Sequence, residues 1–243
     1  MLIKNFRIAI DGHAASGKGT IAKSVADHFG LSYLDTGLIY RAVAQLALLK
    51  GNNSLVRKDL IDIARSFKFE YLELKNLRSS EVGVYASKIA ALPEIRSELI
   101  KFQKNFASRD KGAVLDGRDI GSVILPDADL KIFVTAHQSI RAQRRFEELK
   151  KFNDSITLPQ VLEDLSKRDW LDTTRENAPL KLSSDAHLID TTELSIEASI
   201  ASVIKLAEEV KMNVRKNFLF FASLAAIINF KTCGYNRMAR NIY

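Results

Sequence analysis

The chain has 243 residues, of which 47% are hydrophobic and 27% charged, and its formal net charge is +7. This length and composition indicate a globular protein that can bury a full core. The single cysteine, Cys233, excludes an internal disulfide and a cysteine-based metal site, which favours a reducing compartment. Residues 1–10 lack the uninterrupted apolar run of a signal peptide. We therefore expect a cytoplasmic protein. Its length suits a single α/β domain with small insertions.

The positive charge is concentrated near the carboxyl end of the chain. Residues 211–243 contain six lysines and arginines and no acid, so they carry +6 and leave +1 for residues 1–210. Because the longer part is nearly neutral, we expect no nucleic-acid partner. The sequence thus divides into a main domain, 1–210, and a basic, hydrophobic tail, 211–243.

Short apolar segments alternate with helical patterns along the main domain. This alternation predicts a parallel sheet flanked by helices. Five strands are predicted: Ile8–Ile10, Leu31–Leu34, Ala113–Leu115, Leu130–Thr135 and His187–Asp190.

Two helices are predicted around the second strand. Apolar residues four positions apart from Ile21 to Phe29 lie on one face of the first helix, which we expect to end at Gly30. The second helix is predicted from about Leu38 to Lys50, with Gly51 as its end. Both ends coincide with a glycine, the residue that most readily adopts the left-handed conformation of a helix cap.

The middle of the chain interrupts the alternation of strands and helices. In SFKFEYLEL, Phe67, Phe69 and Tyr71 alternate with polar residues, which predicts a half-buried strand. Helical patterns follow from about Glu81 to Arg109. We therefore expect an insertion at about residues 60–110.

The stretch IDGHAASGKGT joins the first predicted strand to the first predicted helix. A glycine-rich turn in this position presents backbone N–H groups and a helix N-terminus to phosphate, and Lys18 would neutralise the β and γ phosphates. The hydroxyl expected directly after the lysine comes one residue later, at Thr20, which is the candidate metal ligand. His13 is expected to face solvent, without a catalytic role. The predicted nucleotide-binding P-loop comprises Gly12, His13, Ala14, Ala15, Ser16, Gly17, Lys18, Gly19 and Thr20.

Two further strand ends supply charged residues that could receive an anionic acceptor. In LDTGLIYR, Asp35 and Thr36 stand at a helix N-terminus, and Arg41 follows about one turn later; a plain helix cap is the alternative for the first two. The third strand ends in LDGRDIG, at the edge of the sheet where ligands usually bind. The charged residues there are Asp116, Arg118 and Asp119.

Arginines recur in the last third of the main domain. In SKRDWLDTTR, a helix would place Arg168, Asp172 and Arg175 on one face, with a solvated, salt-bridged face as the alternative. Trp170 is expected to anchor this helix by packing. The preceding helix carries arginines on one side, namely Arg141, Arg144 and Arg145. Together they predict an arginine-rich flap at about residues 145–180, which would suit phosphoryl transfer because that reaction needs positive charge around the transferred group.

These motifs together resemble the bacterial cytidylate kinases, which are P-loop nucleoside monophosphate kinases, over nearly all of residues 3–210. The resemblance is carried, in chain order, by IDGHAASGKGT, LDTGLIYRAVA, ASKIAALPEIR, DGRDIGSVILPDADLKIFVTA, RAQRR, RDWLDTTR with APL, and DAHLIDTTELSI. It implies a five-stranded parallel sheet flanked by helices, a monophosphate-binding insertion and a short lid. The implied reaction is in-line transfer of the ATP γ-phosphate to CMP or dCMP, assisted by Mg²⁺.

The resemblance also implies roles for the matched positions. The CMP phosphate would be held by Arg41, Arg118 and Arg175; cytosine would be read by Ser87, Arg96 and Asp119; the sugar would be engaged by Arg168 and Asp172; and Thr36 and Tyr40 would line the same pocket. The transferring group would be stabilised by Lys18, Arg41, Arg118, Arg144, Arg145 and Arg175. Plainer alternatives are a small packing residue for Ser87 and a surface charge for Arg96.

Two features depart from the family pattern. The insertion between Phe67 and Val82 is shorter than usual, which keeps UMP, AMP or a non-nucleotide acceptor open. In the tail, the apolar stretch 217–230 has only 14 residues, too few to span a bilayer. A helix lying on a membrane surface, a self-association or packing helix and an extension without a fixed role stay open, and membrane contact is not favoured. We expect a monomer; a nucleotide-dependent switch or binding module is the alternative from another class.

Overall fold

The computed structural model describes residues 5–50, 57–151 and 154–213. The chain divides into two compact units, and the larger, Lys4–Ile204, contains every element and site discussed below. In the second unit, the described residues 205–213 are helical. The predicted helix end at Gly51 and the predictions for the tail beyond residue 213 lie outside the described residues.

Five parallel strands form one sheet in the order β2-β3-β1-β4-β5, which confirms the predicted parallel architecture. The central strands are buried along nearly their whole length, as expected for a parallel sheet covered on both faces. The strands are β1 (Arg7–Gly12), β2 (Ser32–Asp35), β3 (Ala113–Gly117), β4 (Leu130–Thr135) and β5 (His187–Asp190).

Helices connect the strands and cover the sheet. They are α1 (Lys18–Phe29), α2 (Thr36–Leu49), α3 (Arg57–Arg65), α4 (Ser80–Ile89), α5 (Pro93–Ala107), α6 (Gln138–Lys150) and α7 (Leu158–Thr174), and residues 196–204 are also helical. As predicted, α1 ends at Gly30, whose φ of 65° lies in the left-handed region. Among the described residues, no helix combines the length and apolar character needed to cross a bilayer.

The main core lies between the sheet and helices α2 to α5. Leu115 of β3, Ile39 of α2 and Leu99 of α5 are completely buried in it. Burial of large aliphatic side chains contributes roughly 1.5–3 kcal/mol each, so this cluster is a major source of stability. It also fixes α2, α4 and α5 against β3, from which several of the candidate site residues project.

The strand predicted around Phe67, Phe69 and Tyr71 is wrong. Phe69–Glu73 form a short 3₁₀ helix instead. The rings pack on α5 rather than on a sheet edge: the ring centroids of Phe67 and Phe69 lie 5.0 and 4.6 Å from that of Phe102. Three alternating aromatic residues are too short a pattern to distinguish a strand from a turn that packs its rings on a helix.

The helical pattern from about Glu81 to Arg109 corresponds to two helices, α4 and α5. The break falls just before Pro93, which is the first residue of α5. Proline has no N–H to donate and its fixed φ suits the first helical position, so it starts a new helix rather than continuing the previous one.

Candidate active site

The candidate site lies at the carboxyl edge of the sheet. The register places Asp35 beside Asp116 and Asp11 beside Gly117, so the ends of β2, β3 and β1 meet there. In open α/β sheets, ligands bind outside the carboxyl ends of the strands. The charged residues that follow these strands are therefore brought together, as the sequence predicted.

The predicted P-loop joins β1 to α1. Gly12 has a φ of 152°, and a Cβ atom there would collide with the carbonyl oxygen of Val134 on β4. Gly17, with a φ of 88°, precedes α1, and no side chain caps that helix. The first-turn N–H groups of α1 lack partners within the helix, which makes its N-terminus suitable for phosphate.

Lys18 is held by an acidic residue that the sequence analysis left without a role. Its Nζ lies 3.6 Å from Oδ2 of Asp116, and Oδ1 of Asp116 accepts a hydrogen bond of 2.9 Å from the hydroxyl of Tyr33. Burial and the nearby Arg118 lower the pKa of Lys18 to about 8. Burial and the nearby Asp35 raise the pKa of Asp116 to about 6. An anionic ligand can therefore replace Asp116 as the partner of the Lys18 charge.

Asp11, which the sequence analysis did not single out, connects β1 to the segment after β3. Its two carboxylate oxygens accept hydrogen bonds of 2.8 Å from the N–H groups of Ile120 and Gly121. Burial raises its pKa to about 7 although these two hydrogen bonds lower it. The contact fixes the π-helical turn Ile120–Ile124, directly after Asp119. Asp11 could have been singled out in the sequence because it is an acidic residue at the end of an otherwise apolar predicted strand.

The second strand end contributes a buried arginine. Arg41 is 8% exposed, and its Nη1 donates to the carbonyl oxygens of Leu77 and Ser79 at 2.6 and 3.2 Å. Asp35 caps α2 by accepting from the N–H of Leu38 at 3.3 Å, and its other oxygen, Oδ2, lies 3.4 Å from Nη2 of Arg78. The cap starts α2 two residues earlier than predicted.

Thr36 is committed to the backbone. Its hydroxyl donates to the carbonyl oxygen of Asp116 across 2.8 Å, and the side chain is buried. A Cβ atom on Gly117 would meet the Thr36 Oγ1 at 2.5 Å, so the glycine permits the close approach of α2 and β3. Thr36 therefore contributes to the shape of the site.

Arg118 and α7 are joined by a buried ion pair. The Nε of Arg118 donates to Oδ2 of Asp172 across 2.6 Å, and its Nη1 donates to the carbonyl oxygen of Gly117 at 3.0 Å. Burial would raise the pKa of Asp172, but the charges of Arg118 and Arg168 keep it below its usual value. The Nε of Arg168 is buried and without a hydrogen-bond partner among the described residues. The Nε of Arg168 is therefore a donor that a ligand in the cavity could use.

The predicted common helix face of Arg168, Asp172 and Arg175 is wrong in one respect. α7 ends at Thr174, and Arg175 has a ψ of 139°, outside the helix. Its Nε donates to the carbonyl oxygen of Ala178 at 2.8 Å. Leaving the helix brings its Nη2 within 3.7 Å of Oδ1 of Asp119.

The three residues expected to read a base are all buried, and two of them form an ion pair. Arg96 donates to the carboxylate of Asp119 in a tight ion pair, and both side chains are less than a tenth exposed. The guanidinium of Arg96 also lies 5.8 Å from the ring centroid of Tyr40. Ser87 is buried and donates to the carbonyl oxygen of Gly83 at 3.2 Å. The surface-charge alternative for Arg96 is therefore excluded.

Two lid arginines are anchored by backbone oxygens. Arg144 donates to the carbonyl oxygen and hydroxyl of Thr191 at 2.8 and 3.0 Å. Arg145 donates to the carbonyl oxygen of Arg78 at 2.8 Å and pairs with Glu148. Both arginines line the same cavity as the P-loop.

Some of these residues line a cavity of about 1010 Å³. Its volume is at the upper end of the range for small-molecule sites. The predicted site residues that line it are Ala14, Ala15, Ser16, Gly17, Lys18, Gly19, Thr20, Arg41, Arg118, Arg144, Arg145 and Arg168. The remaining predicted residues do not line it: Gly12, His13, Thr36, Tyr40, Ser87, Arg96, Asp119, Asp172 and Arg175.

Two expectations about individual side chains are wrong. Trp170 is 63% exposed and so does not anchor α7, whose buried residues include Val161 and Leu165. His13 is half-buried rather than facing solvent: its ring packs edge-on against Phe133, with centroids 5.8 Å apart. The exposure of both side chains depends on tertiary packing, which the local sequence pattern does not encode.

Comparison with known proteins gives matches over most of the chain. A family model described as cytidylate kinase matches residues 8–209. A cytidylate kinase from Methylocella silvestris is 48% identical over 208 residues, covering 86% of this chain and 96% of that protein. One from Bartonella tribocorum is 47% identical over 214 residues, covering 87% and 99%. A solved structure of an uncharacterized protein from Eubacterium ventriosum, 15% identical, covers 84% of this chain and 98% of its own with a TM-score of 0.51, which supports the fold alone.

Proposed function

Because the chain belongs to the cytidylate kinase family, we propose that it transfers the γ-phosphate of ATP to CMP and dCMP. The observation that carries the proposal is the buried Arg96–Asp119 pair next to a cavity lined by the P-loop and by arginines. The lysine and arginines that line the cavity suit phosphates. The pair offers a hydrogen-bond donor and an acceptor, which suits a base that carries both.

In this proposal, the donor phosphates bind at the P-loop. The backbone N–H groups before α1 receive phosphate oxygens, and Lys18 exchanges Asp116 for the β and γ phosphates. Arg144 and Arg145 lie beside the same loop and add positive charge where negative charge spreads during transfer. These groups bind and orient the donor without forming a covalent bond to it.

The acceptor phosphate is proposed to bind to Arg41, Arg118 and Arg175. An oxygen of the CMP phosphate attacks the γ-phosphorus, the bond from that phosphorus to the bridging oxygen of ADP breaks, and CDP and ADP leave. The chain supplies position and charge rather than a nucleophile, as is usual in phosphoryl transfer. Arg168 and Asp172 lie next to Arg118 and are proposed to engage the sugar.

Cytosine would be selected by Asp119, Arg96 and Ser87. The carboxylate of Asp119 can accept from the exocyclic amino group, and Arg96 and Ser87 can donate to the ring acceptors. Uracil carries an oxygen where cytosine has the amino group, so it would face the carboxylate without a hydrogen bond. Leaving a buried polar group unpaired is the strongest form of discrimination that such a pocket offers. dCMP presents the same base and phosphate and is therefore proposed as a second acceptor.

The cavity also offers suitable ligands for Mg²⁺. The hydroxyl of Thr20 and the carboxylate of Asp116 line it next to Lys18, and such oxygens suit this cation. Among the described residues there is no cluster of three or more His, Cys, Asp or Glu side chains for a metal. Mg²⁺ would therefore be held mainly by nucleotide phosphates and water, with these two residues assisting. When bound, it would neutralise charge on the β and γ phosphates.

The test is product formation by the full-length protein. With Mg·ATP and CMP, ³¹P NMR is expected to show CDP and ADP appearing in equal amounts. Lys18→Ala should lose at least 10²-fold in rate, whereas Lys101→Ala, at an exposed position on α5, should retain the wild-type rate. ATP hydrolysis without CDP, or no consumption of ATP, would refute the proposal.

A further inference from the structure

Arg141 lies between three elements of the site without lining its cavity. Its Nε donates to the carbonyl oxygen of Ala136, just after β4, at 2.9 Å. Its Nη1 donates to the carbonyl oxygen of Ala14 in the P-loop at 3.2 Å and lies 2.7 Å from Oδ2 of Asp169 on α7. The side chain is only 6% exposed. One guanidinium thus contacts β4, the P-loop and α7 at once.

Asp169 connects Arg141 to the part of α7 that is proposed to bind the sugar. It directly follows Arg168 and lies three residues before Asp172, the partner of Arg118. Its other oxygen, Oδ1, is buried and has no hydrogen-bond partner among the described residues. A nearly buried carboxylate that loses a cation 2.7 Å away is left with an uncompensated charge. The position of Asp169 therefore depends on Arg141.

We propose that Arg141 is a positioning residue that, through Ala14 and Asp169, fixes α7 relative to the P-loop. The pair would place Arg168 and Asp172 at a defined distance from the donor phosphates, so the inference rests on the proposed function. A guanidinium is planar and offers several donors in fixed directions, which a lysine does not. Misplacing a catalytic group by about 1 Å can cost on the order of 10²-fold in rate.

An apolar cluster holds the same elements together independently. Ala14, Ala142, Val161 and Leu165 are buried against one another, and they belong to the P-loop, α6 and α7. α7 should therefore stay docked when the ion pair is removed. Loss of the pair is expected to change the alignment of α7 rather than unfold it.

The matched pair for a test is Glu163–Lys167, on the same helix. It is exposed, with Nζ of Lys167 2.6 Å from Oε1 of Glu163. Asp169→Asn removes the buried charge, and Glu163→Gln makes the equivalent change at the surface. For Asp169→Asn and Arg141→Gln, we expect kcat to fall at least tenfold while the KM for ATP changes less than threefold. The double variant should lose no more than threefold beyond either single variant, because the two residues act as a unit.

A second readout does not depend on turnover. Trp170 is the only tryptophan of the chain, adjoins Asp169 and is largely exposed, so its fluorescence reports on α7. Binding of a non-hydrolysable ATP analogue should change its emission in the wild type and in Glu163→Gln, and at least fivefold less in Asp169→Asn. Calorimetry on each protein would verify that the P-loop is saturated.

The outcomes separate the two proposals. A wild type that binds the analogue but forms no CDP refutes the proposed function, and the emission comparison still decides the role of Arg141. The inference is overturned if Asp169→Asn matches Glu163→Gln in kcat and emission, or if wild-type emission does not respond to the analogue. A kcat loss with an unchanged emission response would also overturn it, since α7 would then respond without the pair.

Discussion

Arg118 and Asp172 are separated by 53 residues in the chain, yet Nε of the first lies 2.6 Å from Oδ2 of the second. Both side chains are nearly buried, at 12% and 7% exposure. The pair joins the end of β3 to α7. If Asp172 were replaced, Arg118 would keep a nearly buried charge without this partner. The pair should therefore contribute to the stability of the fold.

Replacing Asp172 with alanine should destabilise the fold. Breaking one side of a buried ion pair leaves an uncompensated charge and typically costs about 3–5 kcal/mol. We expect the free energy of unfolding, measured by urea titration, to fall by about 3 kcal/mol. Glu163→Ala breaks an exposed pair on the same helix and should have a much smaller effect. Equal losses in the two variants would show that the Arg118–Asp172 contact contributes little.

Gly83→Ala should impair acceptor binding through Arg41. A Cβ atom on Gly83 would lie 2.7 Å from Nη2 of Arg41, whose Nη1 is held by the carbonyl oxygen of Leu77. The guanidinium must therefore shift. We expect the KM for CMP to rise at least tenfold and the KM for ATP to change less than threefold.

The helix itself would not suffer from this substitution, because alanine favours a helix over glycine by about 1 kcal/mol. Glu81→Ala, at an exposed position of α4, is the matched control and should leave both KM values unchanged. If Gly83→Ala also kept the wild-type KM for CMP, Arg41 would have no part in acceptor binding.

ATP affinity should weaken above about pH 8. Burial and the charge of Arg118 lower the pKa of Lys18 to about 8, so the free protein loses this positive charge as the pH rises through that value. Phosphate favours the protonated amine, so binding above pH 8 requires proton uptake. We expect the Kd to rise toward tenfold per pH unit in calorimetry between pH 7 and 9.5.

Lys18→Arg provides the control for this pH dependence. A guanidinium stays charged throughout the range, so whatever affinity the variant retains should not vary with pH in this way. A wild-type Kd that stays constant from pH 7 to 9.5 would mean that Lys18 does not change protonation on binding.

Arg175→Ala should reduce turnover far more than ATP affinity. Its Nη2 is buried without a hydrogen-bond partner among the described residues and lies 3.7 Å from Oδ1 of Asp119, which is proposed to bind the acceptor. We expect kcat with CMP to fall at least 10²-fold and the Kd for ATP to change less than threefold. Glu176→Ala, at the next and exposed position, should behave as the wild type. An unchanged kcat in Arg175→Ala would remove this residue from the proposed site.

The sheet could be predicted from the sequence because its signals are local. Leu130–Thr135 and His187–Asp190 were predicted with the bounds that the structure has. Glycine at position 30 marked the end of α1 for the same reason. Short apolar runs bounded by helices and turns suffice for such elements.

Contacts between distant segments could not be predicted in this way. Arg41 is buried by backbone oxygens 36 and 38 residues away, and no periodicity encodes that contact. The exposure of Trp170 likewise depends on which side of α7 faces α6. Arg141 was noted only as one of three arginines, because the carbonyl of Ala14 that it binds lies 127 residues away. The proposed roles of Arg96 and Asp119 come from the family resemblance, because their ion pair joins residues 23 positions apart in the chain.

We propose that this protein phosphorylates CMP by reading cytosine with Asp119 and Arg96. The most direct test is kcat/KM of the full-length protein for CMP, dCMP, UMP and AMP with saturating Mg·ATP. We expect values for CMP and dCMP that exceed those for UMP and AMP by about 10²-fold or more, since a mismatched base leaves buried polar groups unpaired. Comparable values for all four acceptors, or a preference for UMP or AMP, would contradict it.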